Sequence, residues 1–197
     1  FEPRYRNLLE DALADDGLIA MATLATGWEE DYEGRPPLAP TACLGRVAAH
    51  HRQDDGQYNV LLAGVSRVRI LAELSPRKLY REAQVEVFTD QYPVDADAAR
   101  PHLRRRLQAA FLKILPNIPQ SQDCLAQLLN DDVTLGTLTD LVAYMLDIDV
   151  KRKVALLGEA NVHRRAEALL KCLETAATDV SARGCGQSAF PPEFSAN

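Results

Sequence analysis

The apolar residues at the start of the chain follow a helical period. The spacing predicts a helix over residues 1–13, because apolar side chains recur at intervals of three and four. Pro3 suits a first-turn position, where its missing N–H costs nothing. Gly17 supplies a left-handed stop after the helix. The residues that should share the apolar face are Tyr5, Leu8, Leu9, Ala12 and Leu13.

From residue 18 to residue 87 the apolar residues occur in short runs and alternating patterns instead. These runs have the length and spacing of β-strands. The predicted strands are 18–24, 41–50, 58–63, 66–70 and 82–87. Asp55-Gly56 lies between two of them and is a strong hairpin signal. Residues 27–37 are acidic and rich in turn-forming residues, which predicts a loop that carries Trp28, the only tryptophan.

Beyond about residue 90 the period becomes helical again. The sequence predicts a β-rich region at 1–90, a linker at 91–99, a helical bundle at 100–178 and a flexible tail at 179–197. Thr134 and Asn161 are predicted N-caps. The apolar faces of the first, third and last predicted helices are Leu103, Leu107, Ala110, Phe111 and Ile114; Leu135, Leu138, Val142 and Met145; and Val162, Ala166, Leu169, Leu170 and Leu173. A further short helix is predicted at 121–130.

Composition and charge narrow the function classes. The chain has 197 residues, 47% hydrophobic residues and a net charge of −6. Neither half has the basic excess that phosphate neutralisation requires, so nucleic acid is not expected as a partner. No apolar run is long enough for a membrane span. The four cysteines are scattered, which favours a reducing, cytoplasmic location.

The segment Phe1-Glu-Pro-Arg-Tyr-Arg6 is followed directly by the predicted amphipathic helix. This combination is similar to the signature of the N-terminal, substrate-recognition domain of the ATP-dependent Lon protease. The Asp55-Gly56 hairpin, the Gly64-x-x-Arg67 strand opening and the Tyr80-x-x-Ala83 segment extend the resemblance, which covers about residues 1–174. It implies an α+β fold, in which a small PUA-like β pseudo-barrel with an inserted helix precedes an α-helical bundle.

The chain also departs from that family's pattern. The family usually has two short strands before the Phe-Glu-Pro-Arg-Tyr-Arg segment, with which this sequence begins; either a disordered or removed segment precedes Phe1, or the β region lacks these strands. No Gly-x-x-x-x-Gly-Lys-Ser/Thr phosphate loop occurs, and no serine lies in a motif that matches the Lon Ser–Lys dyad. The resemblance therefore implies a stand-alone recognition domain without ATPase or protease chemistry, and no cofactor is expected.

The most distinctive polar residues surround the N-terminal helix and one strand. They are Glu2, Arg4, Arg6 and Arg67. We expect Glu2 to pair with one of these arginines and to fix the helix to the β region, because charged residues at such positions usually have partners. This role is structural rather than catalytic.

Candidate contacts for a partner lie elsewhere. Trp28 either anchors its loop or contacts a partner. Arg100 and Arg104 belong to the one basic cluster, which is either a solvated helix face or a contact for an acidic partner. The histidines are too scattered for a zinc site and are expected at the surface or rim. No catalytic, cofactor or metal-binding residue is expected.

The expected function is recognition of unfolded or tagged polypeptide, alone or for a partner protease. A PUA-like RNA-binding protein is the alternative, although the net charge of −6 opposes it. A hydrolase is a third class, but no motif supplies its nucleophile and base.

Overall fold

A computed structural model of the chain describes residues 3–31, 34–53, 57–94, 97–114 and 133–182. The expected α+β class is confirmed, since these residues form one four-stranded antiparallel sheet and five α-helices. The strands are β1 (Leu18–Leu24), β2 (Leu38–Arg52), β3 (Tyr58–Glu73) and β4 (Ala83–Phe88), and they lie in that order in the sheet. The helices are α1 (Pro3–Ala14), α2 (Arg100–Ile114), α3 (Leu135–Met145), α4 (Val150–Gly158) and α5 (Val162–Ala182).

The described residues divide into two compact units, and each unit is made of two separate stretches of the chain. Unit 1 draws on residues 1–89 and 150–160, whereas unit 2 draws on 90–149 and 161–197. Helix α4 therefore belongs with the sheet, where Leu156 is buried. The sequence pattern assigns α4 to the region 100–178, together with the other helices of the predicted bundle. The boundaries of the predicted regions remain predictions.

Helix α1 agrees with the predicted helix over residues 3–13 and extends one residue further, to Ala14, whereas residues 1 and 2 lie outside the described ones. Pro3 is its first residue, and Gly17 has a φ of 73° and donates its N–H to the Ala12 carbonyl at 2.8 Å. Leu9 and Ala12 are buried, but Tyr5 and Leu13 are 52% and 41% exposed. The predicted apolar face is thus wrong at its two outer positions, because the buried stripe is narrower than the helical period suggests.

A long hairpin formed by β2 and β3 is the centre of unit 1. The pairing ends at Arg52 opposite Tyr58, which agrees with a turn at Asp55-Gly56; those turn residues lie outside the described ones. The two runs predicted around Gly64 form one continuous strand. The register shifts there, so β3 continues through a bulge instead of ending.

Unit 2 is built around three helices whose apolar faces were predicted from their period. The Thr134 hydroxyl caps α3 by accepting the Thr137 N–H at 3.1 Å. Asn161 Oδ1 caps α5 by accepting two backbone N–H groups, from His163 and Arg164, at 3.0 and 3.1 Å. Both predicted caps are confirmed. The fully buried core side chains include Leu107, Phe111, Leu138, Val142, Val162, Leu169 and Leu173.

The predicted tail and the predicted linker each contain described helical residues. The helix predicted at 121–130 and the residues 183–197 lie outside the described ones. Helix α5 continues to Ala182, so it includes 179–182, which the sequence assigns to the tail. The segment predicted as a linker contains a 3-10 turn at Asp97–Ala99 directly before α2.

Candidate functional site

Exposed apolar side chains are concentrated on β3 in unit 1. Val60, Leu61, Val65 and Leu71 of this strand are 39%, 64%, 54% and 53% exposed. Val65 has no partner across from β2 because the register shifts between Leu44 and Gly45. Leu71 lies at a second shift, on the β4 side. A bulge turns a strand locally and changes the direction of its side chains. Val65 and Leu71 lie at such irregular positions and form part of this exposed apolar surface.

Helix α1 is attached to the segment between β3 and β4 by a polar cluster. Asp11 Oδ2 accepts the Tyr80 hydroxyl at 2.6 Å and lies 2.8 Å from the Lys78 ammonium. The hydrogen bonds from Lys78 and Tyr80 lower the pKa of Asp11. The bond to Asp11 raises the pKa of Tyr80 to about 12. The Tyr80-x-x-Ala83 segment therefore orients the N-terminal helix, a role that the motif alone does not reveal.

A second polar cluster holds the loop before β2 at the end of β3. The Arg81 guanidinium forms two hydrogen bonds to the Glu73 carboxylate and donates a third to the Pro36 carbonyl at 2.8 Å. Arg35 Nε adds a bond to Glu73 Oε2 at 2.9 Å. Hydrogen bonds from Arg81, and then from Arg35, keep the pKa of Glu73 below its ordinary value despite partial burial. Sequence reasoning missed this cluster, because no local pattern joins its members.

The predicted polar set is only partly within the described residues. Glu2 lies outside them, so its expected pairing stays a prediction. Arg4 lies over the Tyr5 ring at 4.9 Å, and Arg6 is half-buried on α1. Arg67 is half-buried on β3 and lies opposite Cys43 of β2.

Arg69, two residues further along β3, forms an ion pair that the sequence did not indicate. Its Nη1 lies 2.5 Å from Glu86 Oε2, and both side chains are more than half exposed. Its guanidinium also lies 5.3 Å from the centre of the Phe88 ring. These contacts are at the surface, where ion pairs contribute little to stability.

Trp28 lies in a 3-10 turn, Trp28–Asp31, within the predicted loop. Its side chain is half-buried. This placement agrees with the expected loop position. The choice between a loop anchor and a partner contact remains a prediction.

A buried arginine in unit 2 is the strongest polar feature that the sequence reasoning did not identify. Arg165 of α5 is 1% exposed, and its two terminal nitrogens bond the Asp90 carboxylate at 2.9 and 2.8 Å. Its Nε donates to the Thr139 hydroxyl at 2.8 Å. Gly136 packs so closely that an added methyl group would overlap Asp90 Oδ2. This network joins three segments that are distant in sequence, so no local signal could reveal it.

Arg100 and Arg104 lie on one face of α2 and share a cavity in unit 2. The cavity has a volume of about 510 Å³ and is lined by Tyr92, Arg100, Pro101, Arg104, Val133, Thr134 and Leu135. Arg100 Nη1 lies 2.7 Å from Asp97 Oδ1, and Arg104 Nη1 donates to the Val133 carbonyl. The structure thus brings together two of the three residues expected to contact a partner.

Histidines and other metal-ligating side chains are dispersed over the described part of the chain. No group of three or more His, Cys, Asp or Glu side chains there could hold a metal ion. His50, His51 and His102 are exposed, whereas His163 is buried, so the expected surface position is wrong for that histidine. None of the helices within the described ranges is long and apolar enough to cross a membrane.

Comparison with known proteins gives a consistent family. Residues 1–175 match the family described as "ATP-dependent protease La (LON) substrate-binding domain". The chain is 25% identical over 169 residues to Lon protease 2 of Myxococcus xanthus, covering 84% of this chain and 20% of that protein. It is also 25% identical to the Lon protease of Anaeromyxobacter dehalogenans, covering 84% of this chain and 19% of that protein. The chain therefore spans about a fifth of the length of these relatives.

Solved structures share the fold. The N-terminal domain of a Mycobacterium avium complex Lon protease superposes with a TM-score of 0.67 at 17% identity, covering 88% of this chain and 87% of that one. The Lon N-terminal domain protein from Xanthomonas campestris gives 0.58 at 18% identity, covering 87% and 85%.

Proposed function

The chain belongs to the family of Lon substrate-binding domains, and we propose from this that it recognises unfolded or tagged polypeptide without catalysing a reaction on it. The family match supports this role, since it covers the substrate-binding part of Lon proteases. The expected occupant is an extended segment with apolar side chains. A partner protease, acting on what this chain binds, is part of the proposal.

The observation that carries the proposal is the apolar surface on β3. Leu61, Val65 and Leu71 are each more than half exposed. Soluble chains rarely keep such residues on one strand unless they contact something. A polypeptide that covers them gains about 25 cal/mol for each Å² of apolar surface removed from water, and it needs no unique sequence to do so. The surface therefore favours unfolded clients over one specific folded partner.

The affinity should be modest and only weakly dependent on salt. A recognition module that releases its client suits a micromolar dissociation constant, about −8 kcal/mol of binding free energy. Since apolar contacts dominate, screening of charges should change the affinity little.

Titration of a fluorescent, reduced and alkylated lactalbumin, followed by anisotropy at two salt concentrations, tests the proposal. The double variant Leu61→Ser, Val65→Ser should weaken binding about tenfold, since two apolar contacts are lost. Asn59→Ser is the matched control, an exposed position on the same strand. No binding at high micromolar protein, or equal binding by both variants, would contradict the proposal.

We propose further that the chain acts in the cytoplasm. Cys43 and Cys172 are free thiols, which supports a reducing compartment. We also propose that the sheet of unit 1 is part of a PUA-like pseudo-barrel and that unit 2 is a helical bundle. These finer assignments rest on the resemblance of the motifs.

RNA binding through the PUA-like region is the second candidate. It follows from the proposed fold detail alone, and the net charge of −6 opposes it. Filter binding of a labelled single-stranded RNA at two salt concentrations separates the two candidates. Tight binding that weakens steeply with salt would favour RNA over polypeptide.

A further inference from the structure

The cavity of unit 2 combines cationic and apolar walls. Arg100 and Arg104 contribute guanidinium groups, whereas Pro101, Val133 and Leu135 contribute apolar surface. Its volume of about 510 Å³ is in the range of small-ligand sites. The ligand that fits such walls has an anionic group next to an apolar one.

The charged wall is held in place by its neighbours. The Arg100 guanidinium lies 5.0 Å from the centre of the Tyr92 ring. The Tyr92 hydroxyl in turn accepts the Gly136 N–H at 3.2 Å. Arg104 is fixed by its bond to the Val133 carbonyl. Side chains that are already ordered lose little entropy when a ligand binds, so the site is preorganised.

Arg100 retains bonding capacity. Its Nη1 is paired with Asp97, but the Asp97 side chain is 67% exposed. Its Nε is shielded from solvent and has no hydrogen-bond partner among the described residues. Because Nε is shielded, an incoming oxygen would bond the remaining guanidinium N–H groups of this side chain, which is 31% exposed. The partial neutralisation by Asp97 favours a singly charged ligand over a dianionic phosphate.

We propose that this cavity binds a carboxylate carried next to an apolar side chain of a polypeptide, with Arg100 as its principal contact. The inference rests on the proposed function and adds a chemical preference to it. The carboxylate is either the terminal one of a chain that ends in an apolar residue, or that of an acidic side chain beside such a residue. Arginine suits both, since its planar group forms paired bonds with carboxylates.

Three fluorescent, unstructured decapeptides that differ only in their anionic group test this preference with the full chain. One ends in leucine with a free carboxylate, one ends in leucine amide, and one ends in the amide with an internal Glu-Leu pair. Anisotropy should show binding about tenfold tighter for the free acid than for the amide, about 1.4 kcal/mol. If the internal pair binds as tightly as the free acid, the side-chain source is supported. Equal binding of all three peptides overturns the proposal.

Two variants and a control locate the effect. Arg100→Gln should reduce the preference for the free acid to less than about threefold. Asp97→Asn should instead tighten binding of the free acid several-fold, because it removes the competing carboxylate, and misfolding cannot produce such a gain. Arg106→Gln removes one exposed charge from the same helix outside the cavity and should change nothing. Equal losses for Arg100→Gln and Arg106→Gln would reveal a general charge effect and overturn the assignment.

The proposed function has an independent readout. Binding of the alkylated lactalbumin should depend on Leu61 and Val65 whether or not this cavity is used. If that binding is intact while the peptides show no carboxylate preference, only the cavity proposal fails. Displacement of the free-acid peptide by inorganic phosphate but not by acetate also overturns the proposal, because it would assign the site to phosphate.

Discussion

Removing the Asp90 carboxylate should destabilise unit 2 far more than removing an exposed carboxylate nearby. Asp90 is the bidentate partner of Arg165, whose side chain is 1% exposed, and Asp90 itself is 21% exposed. Loss of the Asp90 carboxylate leaves the buried Arg165 guanidinium without most of its compensating negative charge. Removing one partner of a buried ion pair typically lowers the free energy of unfolding by about 3–5 kcal/mol. Asp140 Oδ1 lies 3.7 Å from Arg165 Nε and offsets part of that cost. We therefore expect Asp90→Ala to lower the free energy of unfolding by about 3 kcal/mol.

Urea unfolding followed by circular dichroism at the helical band measures this loss. With a urea dependence of about 2 kcal/mol per molar, the midpoint should fall by about 1.5 M. Asp97→Ala is the matched control, since its ion pair with Arg100 is largely exposed and should contribute less than about 1 kcal/mol. Equal midpoints for the two variants would refute the assignment of Arg165 as a buried, charge-dependent centre.

Two further variants separate charge from packing. Gly136→Ala should destabilise in the same direction, because the added methyl group overlaps the Asp90 carboxylate. The double variant Asp90→Ala, Arg165→Met should recover part of the loss, since it removes the buried charge together with its partner. If the double variant is no more stable than Asp90→Ala, the cost lies in packing and not in the uncompensated charge.

Three other outcomes follow from the geometry of unit 1. In an alkaline titration at 295 nm, Tyr80 should ionise near pH 12, and Asp11→Asn should move its pKa back toward 10. The stabilisation that the raised pKa reports is fully present below pH 10 and is lost as the pH rises through 12. Glu73→Gln should flatten the loss of stability in acid, because the lowered pKa of Glu73 stabilises the fold above about pH 4.5 and that contribution disappears as the pH falls through the folded-state value. Arg67→Ala should cost about 2–4 kcal/mol in urea unfolding against less than about 1 for Arg69→Ala, since only the former side chain is half-buried, and equal midpoints would contradict this.

Local signals in the sequence predicted the ends of the elements well. Gly17 requires a positive φ, and Asn161 supplies an oxygen at the start of α5. Both effects act within a few residues, so the local sequence contains all the information they need. The period of α5 likewise placed Leu169 and Leu173 in the core.

Long-range pairing could not be predicted in the same way. Arg165 bonds an aspartate 75 residues earlier in the chain, and its own helix gives no sign of which partner it has. The Glu73 cluster draws an arginine from the loop before β2. The exposure of Val65 also had no local signal, because the sequence pattern around Gly64 cannot show a bulge at which the strand continues.

The assignment of α4 to the sheet has a consequence for synthesis of the chain. Residues 150–160 complete unit 1, and a Cβ on Gly158 would lie 3.1 Å from the Thr41 hydroxyl. A ribosome makes about 5–20 residues per second, so this helix leaves the exit tunnel seconds after β4. During that interval the nascent sheet lacks α4, which is translated only after most of unit 2. A fragment that ends at residue 99 never receives residues 150–160. Its unit 1 therefore stays permanently in the incomplete form that the nascent chain has only for seconds.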